Sequence, residues 1–517
     1  MNLPKAGEAL ALQRRLSFAP DRLALYDLLS DGGRRKDSFL LERSVGSSLL
    51  MESAAVRVEC RKQDVRLTAL SNNGRSVLRS VRERLSHRTL TAEMDELKLG
   101  FPPIGGDDAE ARLLAPSPLD VLRALSTGIS PLSREEPFTV ALLGVSAFDQ
   151  VDLFESLPPA PSDPLDFPDF IFWLAETLIV FEPGAGARLV CTAFGSDDEQ
   201  AAQASYFDAS ERLAAFYGKC EAARDRSPPA AAPAGPIAEA EVDLDDGAYC
   251  AEVSRLREHI LAGEVYQIVP SRTFRAPCAD PIRAFAALRA LDPSPYQFFV
   301  AGPQHILFGA SPETSVRIFK QDGWHTVEVK PIAGTRPRGA SADEDDRLEA
   351  EMRLDEKETA EHMMLVDLAR NDVARVSIHG TRRVARLMSV ERYARVMHLV
   401  SSVTGTLRIG LDALHALQAC LNVGTLTGAP KHRATELLRQ TEVTKRGPYG
   451  GAIGWINGEG LMDTGVIIRS AVVKDGTAYV RVGAGVVYDS DPQSEADETR
   501  RKASALLSVL AATGAPA

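Results

Sequence analysis

The sequence predicts an α+β fold in which large antiparallel sheets carry helices on their outer faces. Three observations lead there. Strand-like and helical runs do not alternate in the regular βα rhythm of a doubly wound sheet. Residues 466–487, VIIRSAVV-KDGT-AYVRVGAGVV, read as a hairpin turned by Asp475-Gly476. Two long helical runs, 343–370 and one from about 494, fall outside the strand-rich stretches.

In chain order, the apolar runs TVALLGVSA (139–147) and IFWLAETLIVF (171–181) read as strands with short helices between them. Residues 227–241, SPPAAAPAGPIAEAE, have no usable apolar period and read as a linker or surface loop. This segment divides an N-terminal region, 1–226, from a second region, 242–517. Tyr249, Val253, Leu256 and Ile260 line one side of a helix over 245–262, and EVYQIVPSRTF (264–274) reads as a strand. There is no internal repeat.

The length of 517 residues suggests two domains or more, and 44% hydrophobic with 25% charged residues is an ordinary globular composition. Lys plus Arg is 59 against 71 Asp plus Glu, a net charge of −12, which disfavours nonspecific nucleic-acid binding. An anionic substrate would need a locally positive site within this negative field. The six cysteines are scattered, with no Cys-x-x-Cys, as expected for free thiols in a reducing cytosol. No signal peptide and no run of 18 apolar residues is visible, so a cytoplasmic protein without a membrane span is expected.

Two Glu-x-x-Glu pairs, Glu358/Glu361 and Glu495/Glu498, stand where apolar helical stripes should run: Leu354, Glu358, Glu361, Leu365 and Leu368 share one face, and Glu495, Glu498, Lys502, Leu506 and Val509 another. A carboxylate on an inward face is costly unless paired, and two such helices can gather four oxygen ligands around a hard cation such as Mg²⁺. Salt-bridged helix faces are the plain alternative, given Lys357, Arg370, Arg500 and Arg501 nearby. Other segments carry chemistry less specifically. PIAGTRPRG (331–339) is an ordinary turn or a close-approach site through Gly334 and Thr335. NVGTLTGAPK (422–431), ahead of a helical run, is a candidate anion site but fails the Walker A spacing. Arg469 interrupts an apolar strand and needs a carboxylate partner. His398, in an apolar run, is a core histidine unless it lines a pocket, and Glu313 in GASPET is a surface glutamate unless it faces one.

Taken together, these segments resemble the chorismate-utilising enzymes, and most closely the anthranilate synthase component I group. The runs that carry the resemblance are YQIVPSR (266–272), PSPYQFF (293–299), GASPE (309–313), PIAGTRPRG (331–339), LDEKETAEHMMLVDLARND (354–372), MHLVSSVTG (397–405), LNVGTLTGAPK (421–431), YGGAIG (449–454), IIRSA (467–471) and GAGVVYDSDPQSEADETRRKA (483–503). They cover most of residues 245–503 in the family's order.

The resemblance implies two large antiparallel sheets packed as a sandwich with helices outside. It also implies Mg²⁺-dependent amination of chorismate by ammonia, followed by loss of pyruvate to give anthranilate. By motif, Glu361 and Glu498 would bind Mg²⁺ directly, with Glu358 and Glu495 close by. Glu313 would be the general acid, His398 would serve the elimination, and Thr425 would border the ring. Gly334, Thr335, Tyr449, Arg469, Gly483, Ala484, Gly485 and Lys502 would bind substrate. Gln267 stands where isochorismate and salicylate synthases place Lys. Ala333 stands where aminodeoxychorismate synthases place Lys, which disfavours that sister activity, the nearest alternative. LLMESA (49–54) resembles the tryptophan feedback motif, with Ser53 as a contact and Pro295, Tyr296 and Gln297 as the other wall; Gln297 departs from the usual Met. No cysteine lies in a glutaminase setting, so a separate glutamine amidotransferase subunit (component II), assembled as a heterotetramer, is expected to supply ammonia.

Overall fold

Two long strands, Ser48–Arg61 and Phe170–Glu182, pair antiparallel along their length and belong to two sheets at once. Their register slips between Met51 and Val56, and such bulges bend a strand pair. Nearly every residue of Phe170–Glu182 is buried, as its apolar sequence requires of a strand covered on both faces. The computed structural model describes residues 3–184, 186–231, 240–393 and 396–513.

From one half of this bent pair the first sheet runs through Ser38–Arg43, Tyr296–Ala301, Ile306–Ser311, Ser470–Lys474, Thr477–Gly483 and Ser271–Pro277, with Gly186–Phe194 and Glu8–Leu16 on the other side. From the other half the second sheet runs through Ala141–Ser146, Ala452–Asn457, Met462–Val466, Thr314–Gln321, Trp324–Val329 and Val396–Thr406. Ile332–Pro337 and Arg383–Arg392 both pair with Val396–Thr406. These pairings are antiparallel, and the sheets pack face to face. Phe39, Leu41, Phe298 and Val300 of the first and Leu143, Val145 and Ile453 of the second share one apolar cluster. Helices Glu199–Ala222, Pro281–Leu291 and Pro492–Thr513 cover the outer face of the first sheet; Asn72–Arg84, Glu356–Val376 and Ala413–Cys420 cover that of the second.

Strands from either side of residues 227–241 pair in both sheets: Tyr296–Ala301 lies beside Ser38–Arg43, and Ala452–Asn457 beside Ala141–Ser146. The two regions therefore share one sandwich. Of the expected linker, residues 232–239 lie outside the described residues.

The expected strands appear as Ala141–Ser146 and Phe170–Glu182, and the expected helix as Asp246–Leu261. Three elements differ. The 264–274 strand divides into Gln267–Ile268 and Ser271–Pro277, because Pro270 has no N–H to continue a ladder. The hairpin turns at Asp475-Gly476, both with positive φ, but its first arm begins only at Ser470: Arg469 has φ +47° and makes a corner. The 343–370 helix is two, Ala342–Leu354 and Glu356–Val376. Asp355 breaks the run and caps the second helix, accepting from the Glu358 N–H, so Leu354 is 80% exposed instead of continuing the stripe.

Candidate active site

Strand ends of both sheets and the ends of two outer helices converge on one region. A cavity of about 520 Å³ opens there, lined by Asp292, Pro295, Pro312, Tyr393, His398 and Arg469, among others; Glu313, Tyr449 and the four helix carboxylates lie outside its lining. Glu313 follows Pro312 in the tight connection between Ile306–Ser311 and Thr314–Gln321, and its carbonyl accepts from the Val466 N–H at 3.0 Å. Its carboxyl is buried, takes a 2.8 Å hydrogen bond from the Thr425 hydroxyl, and is pushed up to about 7 by burial, opposed by that bond and by Arg469. A carboxyl poised there can hold a proton near neutrality and release it, as a general acid must.

Arg469 is not inside a strand. Its corner conformation brings the guanidinium to Asp292, with Nη1 donating to Oδ2 at 2.9 Å. Sequence reasoning named the need for a partner but not Asp292, which lies 177 residues away with no local signal. His398 is buried on Val396–Thr406, and its Nδ1 shares a 2.9 Å hydrogen bond with the Thr335 hydroxyl. Burial, reinforced by Arg469, brings it down to about 4, so the imidazole is neutral at physiological pH. PIAGTRPRG is a strand, not a turn. Its register slips at Gly334, whose φ is +57°, and a Cβ there would come within 2.9 Å of Glu358 Oε2. Glycine thus lets the strand touch the carboxylate helix.

The four carboxylates divide between Glu356–Val376 and Pro492–Thr513. Burial raises Glu361 above its ordinary range against the pull of Lys357, and Glu358, Asp489 and Glu495 add to the rise; burial likewise raises Glu495, with Glu498 adding and the Ser490 hydrogen bond, Lys502 and Lys357 opposing. The two helices therefore present like charges to one another. Glu358 takes a 2.5 Å bond from Arg336, yet its Oε2 is buried with no hydrogen-bond partner among the described residues. Glu498 pairs with Lys502 at 2.7 Å, and Lys502 also donates to the Gly483 carbonyl at 2.9 Å. Among the described residues no three His, Cys, Asp or Glu side chains converge as a metal-ion cluster. As a donor set, however, mutually repelling, partly desolvated carboxylates with one orphaned buried oxygen fit a hard divalent cation.

Tyr449 is buried against Gly483, where a Cβ would stand 3.3 Å from its hydroxyl oxygen; Ala484 is fully buried, and a Cβ on Gly485 would meet Gln267 Nε2 at 2.9 Å. Oε1 of Gln267 is buried without a partner among the described residues. The candidate anion segment at 422–431 is not an open cradle: Lys431 donates to buried Asp372 at 2.6 Å, and Gly424 packs against Leu365 and Leu368. That packing sets Thr425 beside the carboxylate helix.

The expected inhibitor residues do not gather in one cavity. Ser53 lines a cavity of about 610 Å³ with Glu52, Arg212 and Lys219. Pro295 borders the active-site cavity, Tyr296 is buried, and Gln297 donates to the carbonyls of Arg289 and Asp292. Against Tyr296 lies Arg43, missed in the sequence, with its guanidinium 3.4 Å from the ring centre.

Comparison with known proteins gives a consistent picture. The family profile for chorismate binding enzyme matches residues 106–508. Anthranilate synthase component 1 of Vibrio cholerae is 43% identical, covering 99% of this chain and 98% of its own length. A pyocyanine-specific anthranilate synthase component 1 of Pseudomonas aeruginosa is 44% identical, covering 98% and 96%. The crystal structure of anthranilate synthase component I from Streptococcus pneumoniae superposes with a TM-score of 0.65 at 27% identity, over 90% of this chain and 93% of that one.

Proposed function

Because the chain belongs to the chorismate-binding enzymes, we propose that it converts chorismate and ammonia to anthranilate, pyruvate and water. The observation that carries this reading is the buried Glu313 carboxyl, hydrogen-bonded by Thr425 and electrostatically coupled to Arg469. Loss of the C4 hydroxyl needs a proton donor, because hydroxide is a poor leaving group. Glu313 supplies that proton as ammonia forms a bond to C2 and the C4–O bond breaks, releasing water. The C2 proton is then removed, the enolpyruvyl C–O bond breaks, and the ring becomes aromatic as pyruvate departs. Neutral His398 serves this second stage; with Nδ1 engaged by Thr335, Nε2 is the nitrogen left to handle a proton.

Arg469 and Tyr449, with the backbone at Gly483, Ala484 and Gly485, hold the enolpyruvyl carboxylate. Asp292 keeps Arg469 oriented until substrate arrives. Gly334, Thr335 and Thr425 border the ring. Glu361 and Glu498, with Glu358 and Glu495 beside them and Lys502 adjacent, would hold Mg²⁺, which when bound supplies positive charge to the ring carboxylate. Gln267 has no ionisable group to activate water and Ala333 no amine to attack the ring, which favours ammonia as nucleophile over the sister reactions.

Ammonia comes from a separate glutaminase component. Burial pushes the thiols of Cys191, Cys220, Cys278 and Cys420 up to about 12, the opposite of an activated nucleophile. The six unpaired cysteines suit a reducing cytoplasm, and no helix among the described residues is long and apolar enough to cross a membrane. Control by L-tryptophan belongs to the same reading, acting at the wall of Pro295, Tyr296 and Gln297; Ser53 lies in a separate cavity. Isotopically labelled ammonium tests the chemistry. Label is expected in the aromatic product, and chorismate consumed into an unlabelled hydroxylated product would overturn the proposal.

A further inference from the structure

A second cavity, of about 710 Å³, adjoins the active-site cavity and shares Pro295, Pro312 and Tyr393 with it. Its charged lining is strongly one-sided. Arg43, Arg317, Lys330, Arg383, Arg386 and Arg392 face it, against Glu328 and Glu391. Both acids are neutralised in place: Glu328 by Arg317 at 3.1 Å and Glu391 by Lys330 at 2.8 Å. Arg43 is paired with Asp463, and Arg392 with Asp346 and Glu349. Arg383 and Arg386 are exposed and make no ion pair among the described residues, although Arg386 lies near enough to Glu391 to help hold that carboxyl down.

Local structure explains why both reach the groove. In a regular strand, residues three apart point to opposite faces. Here the register of Arg383–Arg392 against Val396–Thr406 slips on both sides of Arg386, which breaks the alternation. The result is a surplus of positive charge beside the site of a chain whose net charge is −12. A chain of that sign repels an approaching anion, whereas a groove of opposite charge raises the anion's local concentration and speeds its encounter.

We propose that this groove is the electrostatic capture surface for the substrate, a small dicarboxylate carrying two negative charges, with Arg383 and Arg386 as its free charges. The proposal rests on the chorismate reading above. Neither arginine touches the reacting atoms in this account; both act on substrate approach and affinity.

The test is the R383E/R386E double variant, with R383Q/R386Q as a milder partner. An equal charge reversal, R79E/R82E, on the exposed face of Asn72–Arg84 and outside the groove, serves as control. Ammonium-dependent chorismate consumption is followed at ionic strengths of about 0.01 M and about 1 M, where charges act over roughly 30 Å and 3 Å respectively. At low salt, KM for chorismate is expected to rise about tenfold in the glutamate variant and less in the glutamine variant, with kcat unchanged. The difference should collapse at high salt, and the control should match the wild type. An unchanged KM at low salt overturns the proposal, as does an equal rise in the control or a fall in kcat. Loss of glutamine-dependent activity alone, in the presence of a glutaminase component, would also overturn it and assign the groove to a protein partner. A wild-type chain that consumes no chorismate would refute the activity itself, and the capture surface with it.

Discussion

The Thr425 hydroxyl donates a 2.8 Å hydrogen bond to Oε1 of Glu313, the buried carboxyl that follows Pro312 at the cavity wall. Burial lifts this carboxyl from 4.5 to about 7. A raised folded-state value means that the folded protein holds the proton more tightly than the unfolded chain. That stabilisation is fully present below about 4.5 and is lost as pH rises through about 7. Glu313→Gln keeps the acceptor for Thr425 and removes the titration. Relative to wild type it should gain about 3 kcal/mol of stability between about pH 5 and pH 8.5, by the usual 1.4 kcal/mol per unit. Urea unfolding at the two pH values measures this, and an equal difference at both would refute the assignment. The same variant should lose anthranilate formation by at least about 100-fold, the ordinary scale of general-acid catalysis.

His398→Ala should separate the two halves of the reaction. Ammonia addition and hydroxyl loss proceed through Glu313, so chorismate should still disappear into an amino intermediate while pyruvate release falls about 100-fold or more. Chromatography of the quenched mixture distinguishes the species. Pyruvate release at the wild-type rate would remove His398 from the mechanism. Because burial already brings its imidazole down to about 4, the wild-type rate should show no inflection from this residue near pH 6.5.

Neutralising one carboxylate between the two outer helices should stabilise the metal-free protein. Glu361 lies partly buried, with Lys357 opposing the like charges of Glu358, Asp489 and Glu495, and the net effect raises its carboxyl. Glu361→Gln should therefore raise the melting temperature in chelator by about 2 °C, the effect of roughly 1 kcal/mol in a large domain. The same change should abolish most of the further rise that Mg²⁺ gives the wild type. A variant that keeps the full Mg²⁺-induced rise would rule out Glu361 as a ligand.

Arg43 and Asp463 tie the two sheets together under the active-site wall. The pair is nearly closed to solvent, at 6% and 7% side-chain exposure. Arg43 also reaches the Pro295 carbonyl and stacks on Tyr296, whose hydroxyl donates to Asp463 at 2.7 Å. Arg43→Met leaves the buried Asp463 with the Tyr296 hydroxyl and a longer 3.8 Å contact to Arg317, and should cost about 1–3 kcal/mol. Adding Asp463→Asn should recover much of that loss, and strictly additive losses in the double variant would show that the two residues do not interact.

Much of this molecule was legible in its sequence. The hairpin at Asp475-Gly476 is readable because two-residue turns need positive φ, and the α+β class because strand-like and helical runs do not alternate in a regular βα rhythm. The Glu-x-x-Glu pairs stood out because charge replaced an apolar stripe. What failed did so for identifiable reasons. Helical periodicity ran straight through Asp355, although the aspartate ends one helix and caps the next. Arg469 looked like an interrupted strand, because nothing local announces a corner or its partner Asp292, which only the fold brings near. Lys431 looked free to bind an anion until the fold delivered Asp372. In each case the deciding contact is long-range, and no local pattern encodes it.

The most direct test of the central claim is the ratio of products from the purified chain supplied with chorismate, Mg²⁺ and ammonium. Anthranilate is read by fluorescence and pyruvate by a coupled dehydrogenase. Equal rates of appearance of the two are predicted, both depending on ammonium. Chorismate loss without pyruvate would contradict the account and point to an aminated or hydroxylated cyclohexadiene as the true product.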